Sequence, residues 1–550
     1  MTHAQRAVVV AAVAAGTLSI PLSGGVAAQK LEPIVYTVRV PDPETHYLEV
    51  EARVPTGRQA SIELMMPVWS PGFYRVEDYA GRVSDFAART GDGGALPSDK
   101  PRGNRWRVQT NRQPIVLLSY RVFGNQRSVT TNYVGPEMGA INGAPTFITL
   151  VEKARRPHEV HLELPAAWTR AMTGMSDAPG GKPNQFRAAD YETLVDSPIL
   201  AGNLNVHDFV VAGKKHFVVG AGEMTGWDAE AATRDLATYV DACYRFWGFL
   251  PYEKYDFLLM FRQGGGGLEH KTSNLSTVSA GRGGRGGRGA ASPAETSAPA
   301  AASPAPPMRT WPGVRLLSHE YFHLFNVKRL RPVELGPFDF ENKPTTGSLW
   351  ISEGVTSYYS TLLVERAGLS TVDEYLSSLG STIGELQKSP GRLLQSVEQS
   401  SLDVWNNSNS GVNPAATTVS YYVKGQVLGF LLEARIRSAT GGRRGFDDAM
   451  RLAYKRYAGE RGFTPDQFRK TVEEIAGADL TEWFRKSVST AEELDYSEAL
   501  DWFGLRFVTP DGPMGSWSLA VRDDATADQQ RHLKDWMSPD KDPHNRGSAI

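Results

Sequence analysis

Short runs of alternating hydrophobic and polar residues dominate the first part of the chain, from Glu32 to about Val206. The runs YTVRV, YLEVEARV, SIELMM, RWRVQ and VLLSYRVF are separated by Pro, Gly, Asp and Asn. Because successive side chains of a strand point to opposite faces, this period of two indicates half-buried β-strands joined by turns. The pattern predicts an N-terminal β-rich domain over residues 29–206.

The pattern changes to a helical period between residues 233 and 249. Leu236, Val240 and Tyr244 recur at a spacing of four, and the strand-like run YDFLLMF follows. Side chains four residues apart share one face of a helix. A helix followed by a buried strand predicts a mixed α/β domain over residues 207–368.

Nearly every ordered stretch after about Gly368 has a helical pattern. One helix opens with TPDQ at 464–467, where a Thr cap, a Pro in the first turn and a Gln three residues after the cap form a capping box. We predict an α-helical domain over 369–507 and a polar, poorly ordered tail over 508–550. The predicted fold class is therefore multidomain α+β.

The composition is that of a globular protein and does not favour a polyanionic partner. Of the 550 residues, 41% are hydrophobic and 22% are charged, and Lys plus Arg (59) nearly balance Asp plus Glu (61). A chain of this length is too long for one hydrophobic core and is expected to form about three folding units. The balanced charge provides no broad field that would attract nucleic acid.

Residues 281–308 form a low-complexity segment rich in Gly, Ala, Pro and Ser. Because they include almost no side chain that could be buried, we predict a disordered insertion within the α/β domain. The repeated Arg-Gly steps also suggest a nucleic-acid tract. Three Arg without an aromatic residue for base stacking favour a solvated insertion instead, and no nucleic-acid partner is expected.

The N-terminus has the pattern of a secretory signal peptide over residues 1–28. Arg6 precedes the apolar stretch AVVVAAVAAGTLSI, and small residues lead to a cut before Gln29. A membrane anchor is the alternative, but Ser, Pro and paired Gly interrupt the apolar run before the roughly 20 residues of a bilayer span. We expect a secreted or periplasmic protein without stable membrane insertion. Cys243 stands alone and cannot form an intrachain disulfide.

The motif HEYFH at 319–323 predicts a metal site. A spacing of four places His319 and His323 on one face of a helix, one turn apart. Glu353 lies 30 positions beyond His323, at the start of a helical, aromatic-rich segment, and completes a set of three ligands. Two imidazoles and a carboxylate favour one zinc ion per chain, because magnesium and calcium prefer all-oxygen ligands.

This ligand set predicts hydrolysis by an activated water. Zinc lowers the pKa of a bound water to about 7, and a neighbouring carboxylate can take its proton. Glu320, between the two histidines, is the expected general base. The oxyanion that forms needs a second hydrogen-bond donor. Tyr422, at the start of SYYVKGQVLGF, is a candidate, although core packing also explains this tyrosine.

Five segments give the chain a resemblance to the glycyl aminopeptidase family, peptidase family sixty-one, which is distantly related to the alanyl and leucyl aminopeptidases. The resemblance spans nearly the whole mature chain, and the combination of motifs is highly specific. The segments are PVWSPGFYRVEDY (67–79), GGLEHKTS (266–273), HEYFHLFNVKRLRP (319–332), GPFDF with LWISEGVTSYY (336–359) and YYVKG (421–425).

The resemblance implies a β-saddle domain, a thermolysin-like catalytic domain and a helical domain, with zinc on the three ligands named above. It makes Tyr422 the expected transition-state stabiliser. GGLEH is similar to the exopeptidase motif of the related aminopeptidases. Glu269 is then expected to bind the free α-amino group, while the edge formed by Gly266 and Gly267 hydrogen-bonds the substrate backbone. The resemblance also implies a preference for small first residues, Gly or Ala.

Departures from the family pattern concern packing and length. His270 stands where the more distant relatives have Asn, and Phe325 replaces a Trp that is common after the second histidine. The family often carries a C-terminal PDZ domain of roughly 90 residues. The 43 residues after Phe507 are too few for that fold, so no complete PDZ domain is expected.

The hypothesis is therefore a zinc aminopeptidase that acts on peptides with a free N-terminus. One alternative is an endopeptidase of the same zinc chemistry, and another is a non-catalytic peptide-binding scaffold. The retained ligands and base argue against the scaffold. Glu269 distinguishes cleavage at the end of a peptide from cleavage inside it.

Overall fold

The computed structural model describes residues 31–152, 155–262, 264–279, 310–406, 416–508 and 517–538. The predicted signal peptide and the predicted insertion over 281–308 lie outside the described residues. No helix among the residues described is long and apolar enough to cross a membrane.

The N-terminal domain is built from antiparallel and mixed β-sheets, as its alternating pattern predicts. Strands such as β2 and β8 bury every second side chain, and the buried residues, among them Tyr36 and Trp106, form one core. The elements in chain order are β1 (Ile34–Arg39), β2 (Tyr47–Pro55), β3 (Ser61–Met65), β4 (Val83–Thr90), β5 (Ala95–Leu96), β6 (Ser98–Arg102), β7 (Arg105–Gln109), β8 (Ile115–Phe123), β9 (Tyr133–Val134), β10 (Met138–Ile141), β11 (Thr149–Leu150), β12 (His158–Glu163), β13 (Arg170–Thr173), β14 (Ser176–Asp177), β15 (Gln185–Ala188), α1 (Tyr191–Val195) and β16 (Ile199–Gly202).

Within the described part of this domain, the strands form one eight-stranded sheet and two four-stranded sheets. The large sheet has the order β14-β15-β12-β1-β2-β8-β4-β5, and the smaller sheets have the orders β13-β16-β10-β9 and β11-β3-β7-β6. The prediction of a β-rich N-terminal domain is confirmed.

A mixed five-stranded sheet with one long helix follows. The strand order is β17-β18-β19-β21-β20; the three inner strands run parallel, and β20 pairs antiparallel with β21 at one edge. The helix packs its Leu236, Tyr239 and Val240 into the main core. The elements are β17 (Asn205–Val211), β18 (Lys214–Gly222), α2 (Ala229–Trp247), β19 (Lys254–Phe261), β20 (Gly266–Glu269) and β21 (Ser273–Val278).

The remainder of the described chain is mostly helical. A π-helical turn over Trp350–Val355 leads directly into α4, and α7 is buried on nearly all sides by its neighbours. The elements are α3 (Val314–Phe322), α4 (Thr356–Arg366), α5 (Val372–Lys388), α6 (Val397–Leu402), α7 (Tyr421–Thr440), α8 (Phe446–Tyr457), α9 (Pro465–Ala476), α10 (Thr481–Phe484) and α11 (Ser497–Phe503). The capping box predicted at Thr464 is present at the start of α9.

The stretch after residue 508 differs from the predicted polar tail. The strands β22 (Leu505–Val508) and β23 (Ser518–Val521) pair, and α12 (Ala527–Met537) packs against the helical core. Trp536 is fully buried, and its indole N–H donates to the Tyr358 hydroxyl at 3.0 Å. The prediction is wrong for residues 517–538 because Leu533, Trp536 and Met537 of α12 form one buried face.

Candidate active site

The helix α3 carries the first histidine near its end and leads into the second. Its Leu317, Tyr321 and Phe322 are fully buried in the main core, so the opposite face carries His319, whose side chain is 15% exposed. α3 ends at Phe322, yet His323 keeps helical backbone angles (φ −58°, ψ −25°). The spacing of four therefore still places both imidazoles one turn apart.

Three donor atoms from these residues and Glu353 converge on one point. The Nε2 atoms of His319 and His323 are 2.9 Å apart, and Oε2 of Glu353 lies 3.4 Å from the first and 3.2 Å from the second. Ligand atoms about 2.0–2.2 Å from a tetrahedral zinc ion stand about 3.3–3.6 Å apart. The donor types fit zinc; the two histidine–carboxylate distances lie close to this range, and the 2.9 Å between the two ring nitrogens is shorter.

Outer contacts orient both rings for binding through Nε2. The Nδ1 atom of His323 is 3.0 Å from the carbonyl oxygen of Asn326, so Nδ1–H donates and Nε2 keeps its lone pair. The Nδ1 atom of His319 is 3.5 Å from the hydroxyl of Ser357, which itself donates to the carbonyl oxygen of Glu353 at 2.9 Å. Motif spacing alone does not identify Asn326 and Ser357.

Asn326 also ties the helix of the histidines to the turn that bears the carboxylate. Its Nδ2 donates to the carbonyl oxygen of Ile351 at 2.8 Å and to the hydroxyl of Thr356 at 3.0 Å. The turn is π-helical, a geometry that is frequent at functional sites. Asn326 thus links the two segments that must meet at the metal.

Glycines allow the neighbouring backbones to come close to this turn. A Cβ on Gly354 would lie 2.4 Å from Cα of Gly425, and a Cβ on Gly425 would lie 2.6 Å from the carbonyl oxygen of Trp350. Only hydrogen atoms fit between these chains. The contact fixes the start of α7 beside Glu353.

Glu320 lies fully buried against the edge strand β20. A Cβ on Gly267 would lie 2.3 Å from the carboxyl carbon of Glu320, so any side chain at Gly267 would displace that carboxylate. Gly266 lies one residue earlier in the strand, and its carbonyl oxygen accepts a hydrogen bond from the Thr277 hydroxyl at 3.3 Å. Of the two glycines predicted to bind substrate, Gly267 contacts the predicted base.

Glu269, at the end of β20, is the second carboxylate at the site. It is fully buried, and neither of its oxygens has a hydrogen-bond partner among the described residues. Carboxylate oxygens of Glu269 and Glu320 and a ring nitrogen of His323 all lie within 4.8 Å of one another. A buried carboxylate without a donor is costly unless a ligand supplies one.

The N-terminal domain reaches the same carboxylate through Gly72. This glycine has φ +95°, and a Cβ there would lie 2.4 Å from Oε1 of Glu269. Gly72 belongs to the segment PVWSPGFYRVEDY, which the sequence connects to the family but not to a role. The site therefore has a wall from the β-rich domain.

Tyr422 lies near the metal ligands at the start of α7. Its ring centroid is 6.2 Å from that of His319, and it stacks on Tyr421 at 4.8 Å. The side chain is half-buried rather than part of the closed core. This position favours a functional role over core packing.

The carboxylates make the site strongly attractive to a cation. Burial alone would lower the pKa of His323, but the nearby Glu353, Glu269 and Glu320 carboxylates outweigh it and raise that pKa to about 9. The same field that stabilises the imidazolium stabilises a metal ion in its place.

Known proteins share sequence and fold with this chain. Two family models match the chain: the Peptidase M61 N-terminal domain over 35–203 and the M61 glycyl aminopeptidase domain over 313–428. The second match contains His319, Glu320, His323, Glu353 and Tyr422, whereas Glu269 lies outside both matches. No curated protein matches the sequence.

Many solved structures resemble the chain, among them the following two. An aminopeptidase N family protein from Idiomarina loihiensis is 26% identical, with a TM-score of 0.78 over 88% of this chain and 81% of that chain. A mutant M1 zinc metallopeptidase from Deinococcus radiodurans, bound to a Tyr-Ser-Ala substrate, is 14% identical, with a TM-score of 0.51 over 85% of this chain and 95% of that chain. The second similarity concerns the fold alone.

Proposed function

Because this chain belongs to the M61 glycyl aminopeptidase family, we propose that it is a zinc aminopeptidase that removes small N-terminal residues from peptides. One observation carries the proposal: the buried carboxylate of Glu269 lies close to a site with three metal-binding donor atoms. The metal site would catalyse hydrolysis, and Glu269 would bind the free amine of the substrate.

The metal site would hold zinc through His319, His323 and Glu353. Bound zinc supplies a Lewis acid that polarises the substrate carbonyl and lowers the pKa of water to about 7. Glu320 takes the proton of the attacking water and returns it to the leaving amine. Its contact with the glycine edge of β20 holds the carboxylate beside the scissile bond.

Tyr422 donates a hydrogen bond to the oxyanion that forms at the carbonyl carbon. Its position on the first turn of α7, next to the ring of His319, supports this role. A donor that is already oriented stabilises developing charge without reorganisation, and removing one such donor typically costs about 10²–10³ in kcat.

Glu269 pairs with the α-ammonium group of the substrate. The ammonium supplies the donors that both carboxylate oxygens lack among the described residues. The distance between this carboxylate and the metal ligands then selects the first peptide bond. The edge strand offers backbone groups at Gly266 and Gly267 to an extended peptide.

The proposed preference for Gly or Ala as the first residue rests on the family to which the chain belongs. A Cβ on Gly72 would lie 2.4 Å from Oε1 of Glu269, so the backbone of this loop closes one side of that carboxylate. A large first side chain would have to displace this loop. Substrates are therefore expected to be peptides with a free N-terminus and a small first residue.

The proposal also covers the folds of two domains and the cellular location of the protein. We assign the β-rich domain as a β-saddle and the unit built on β17–β21 and α3 as thermolysin-like. We also propose that the chain is exported through cleavage before Gln29, in line with the signal pattern. The N-terminal sequence of the secreted protein tests that cut.

Metal analysis and peptide assays test the function. We expect about one zinc per chain, and Glu320→Gln is expected to keep the zinc but lose most turnover. Gly- and Ala-terminated peptides should be cleaved, whereas their N-acetylated forms should not. Undiminished cleavage of the acetylated peptides would favour the endopeptidase alternative. A zinc-free purified protein would remove the metal mechanism, and full activity of the Gln variant would remove Glu320 as the base.

A further inference from the structure

Asp196, directly after α1 in the N-terminal domain, is a buried carboxylate that joins three chain segments. Its Oδ1 is 2.5 Å from Nζ of Lys328 and 3.1 Å from Nδ1 of His270. Its Oδ2 accepts the backbone N–H of Lys271 at 2.8 Å. One side chain thus holds two segments of the zinc-binding unit from outside that unit.

Both segments lead directly into the proposed site. His270 and Lys271 follow Glu269, the proposed amine anchor, at the end of β20. On the other side, the backbone N–H of Lys328 donates to the carbonyl oxygen of His323, a proposed metal ligand, at 3.0 Å. Asp196 therefore contacts both the residues that follow Glu269 and the segment that follows His323.

The cluster is buried and electrostatically defined. Exposure is 7% for Asp196, 3% for His270 and 5% for Lys328. Burial alone would raise the pKa of Asp196, but the Lys328 ammonium and the His270 ring hold it well below its usual range. Because the desolvation cost of a buried ion pair offsets much of its attraction, such a pair is poor evidence for added stability. Its directional contacts nevertheless define the separation of the groups it joins.

Glu269 depends on this support because its own carboxylate makes no hydrogen bond within the described residues. Its backbone, the packing of Gly72 and the contacts of Asp196 with the following two residues, here called the clamp, help to determine where its oxygens lie. A displacement of about 1 Å in a substrate-positioning group can lower a rate about a hundredfold. The position of residues 270 and 271 is therefore important for function.

We propose that Asp196 is a positioning residue that sets the separation between the Glu269 carboxylate and the metal ligands. Through this separation, the N-terminal domain determines how strongly the enzyme requires a free α-amine. The inference rests on the proposed function, and it assigns to Asp196 a role that the site residues themselves do not explain.

Two variants remove the clamp in different ways. Asp196→Asn keeps the shape but turns one acceptor oxygen into an N–H donor, which must face either the Lys271 N–H or the Lys328 ammonium, and it leaves Lys328 without a counter-charge. The double variant Asp196→Leu with Lys328→Met removes both charges and every acceptor at position 196, so no unpaired buried charge remains to oppose folding. The control is Asp447→Asn, which breaks another buried pair, with Arg366 at 2.9 Å, in the helical domain.

Two small inhibitors separate amine recognition from metal binding. Glycine hydroxamate carries a free amine and a metal-binding group, whereas acetohydroxamate carries only the metal-binding group. We expect both clamp variants to weaken inhibition by glycine hydroxamate at least about tenfold. Inhibition by acetohydroxamate, the zinc content and the circular dichroism spectrum should stay at the parental values. Asp447→Asn should leave the preference for the amine unchanged.

Three experimental results would contradict the proposals. If the parent protein prefers glycine hydroxamate and the folded double variant keeps that preference, the positioning role of Asp196 is wrong. Equal weakening of both inhibitors would also contradict it, because that indicates a general loss of structure. A parent protein without any preference for the amine-bearing inhibitor would instead contradict the proposed aminopeptidase function.

Discussion

Gly72 shows how one residue far from the metal motif can determine access to the site. It lies in the β-rich domain with φ +95°, and its missing side chain lets the backbone lie against the Glu269 carboxylate. Two separate causes favour glycine at this position: the left-handed φ and the closeness of Oε1 of Glu269. Only the closeness of Oε1 should affect binding of the substrate amine, so the two causes can be told apart.

We predict that Gly72→Ala lowers kcat/KM for Gly-terminated peptides by about tenfold or more. The new Cβ would lie 2.4 Å from Oε1 of Glu269, so the carboxylate must move away from the amine position. Steady-state kinetics with Gly- and Ala-terminated peptides measures the loss. The effect should appear mainly in KM, since the metal ligands remain in place.

The chain contains a closely matched control for this variant. Gly93 has φ +93°, and a Cβ there would meet no atom within 4 Å. Gly93→Ala therefore introduces the same backbone strain, about 1–2 kcal/mol, without touching the site. If both variants retain equal kcat/KM, the crowding at Glu269 does not affect catalysis.

At the scale of elements, the metal site depends on how closely α7 approaches the π-helical turn. Gly354 and Gly425 allow that approach, since a Cβ on either would meet backbone atoms below 3 Å. Backbone atoms cannot rotate away as a flexible side chain can. The glycine pair thus couples the position of Glu353 to that of Tyr422.

We predict that Gly425→Ala lowers zinc affinity by about tenfold or more, because the turn that carries Glu353 must shift to admit the Cβ. Competition with a zinc chelator measures the affinity. Gly429→Ala is the control, since it crowds the ring of Tyr358, at 2.7 Å, one turn further along α7. Both variants should lower the melting temperature, but an equal zinc affinity in the two would contradict the coupling.

Local patterns predict the proposed metal ligands, whereas tertiary packing accounts for their surroundings. His319, His323 and Glu320 could be predicted because one helical turn joins them. Asp196 could not, since it meets His270 across 74 positions of the chain. Neither could the π-helical geometry at Glu353, because it depends on neighbours that sequence spacing does not reveal.

Element boundaries show the same limit. The apolar spacing predicts a helix over 233–249, whereas α2 covers Ala229–Trp247. Its first turn consists of small and polar residues capped by Asp228, which carry no apolar period, and Gly248 ends it in a left-handed conformation. The type of the element follows from its buried face, but its ends follow from the caps.

At the scale of the whole molecule, the C-terminal segment completes the core that supports the site. Trp536 packs on Phe503 at 4.4 Å and on Phe430 of α7 at 5.4 Å. Its indole N–H donates to Tyr358 of α4, the helix that follows the Glu353 turn. The segment therefore holds α4 and α7 together.

We predict that Trp536→Ala destabilises the protein by about 3–5 kcal/mol, because it empties a fully buried site and leaves the Tyr358 hydroxyl without its donor. Thermal unfolding followed by circular dichroism measures the change, and chelator competition shows whether zinc is released more readily. Trp483→Ala is the control, since Trp483 is only half-buried on α10. If the two variants melt at the same temperature, residues 517–538 do not support the helical core. If Trp536→Ala lowers stability but leaves zinc affinity at the parental value, the metal site is held by α3 and the Glu353 turn alone, without support from the C-terminal segment.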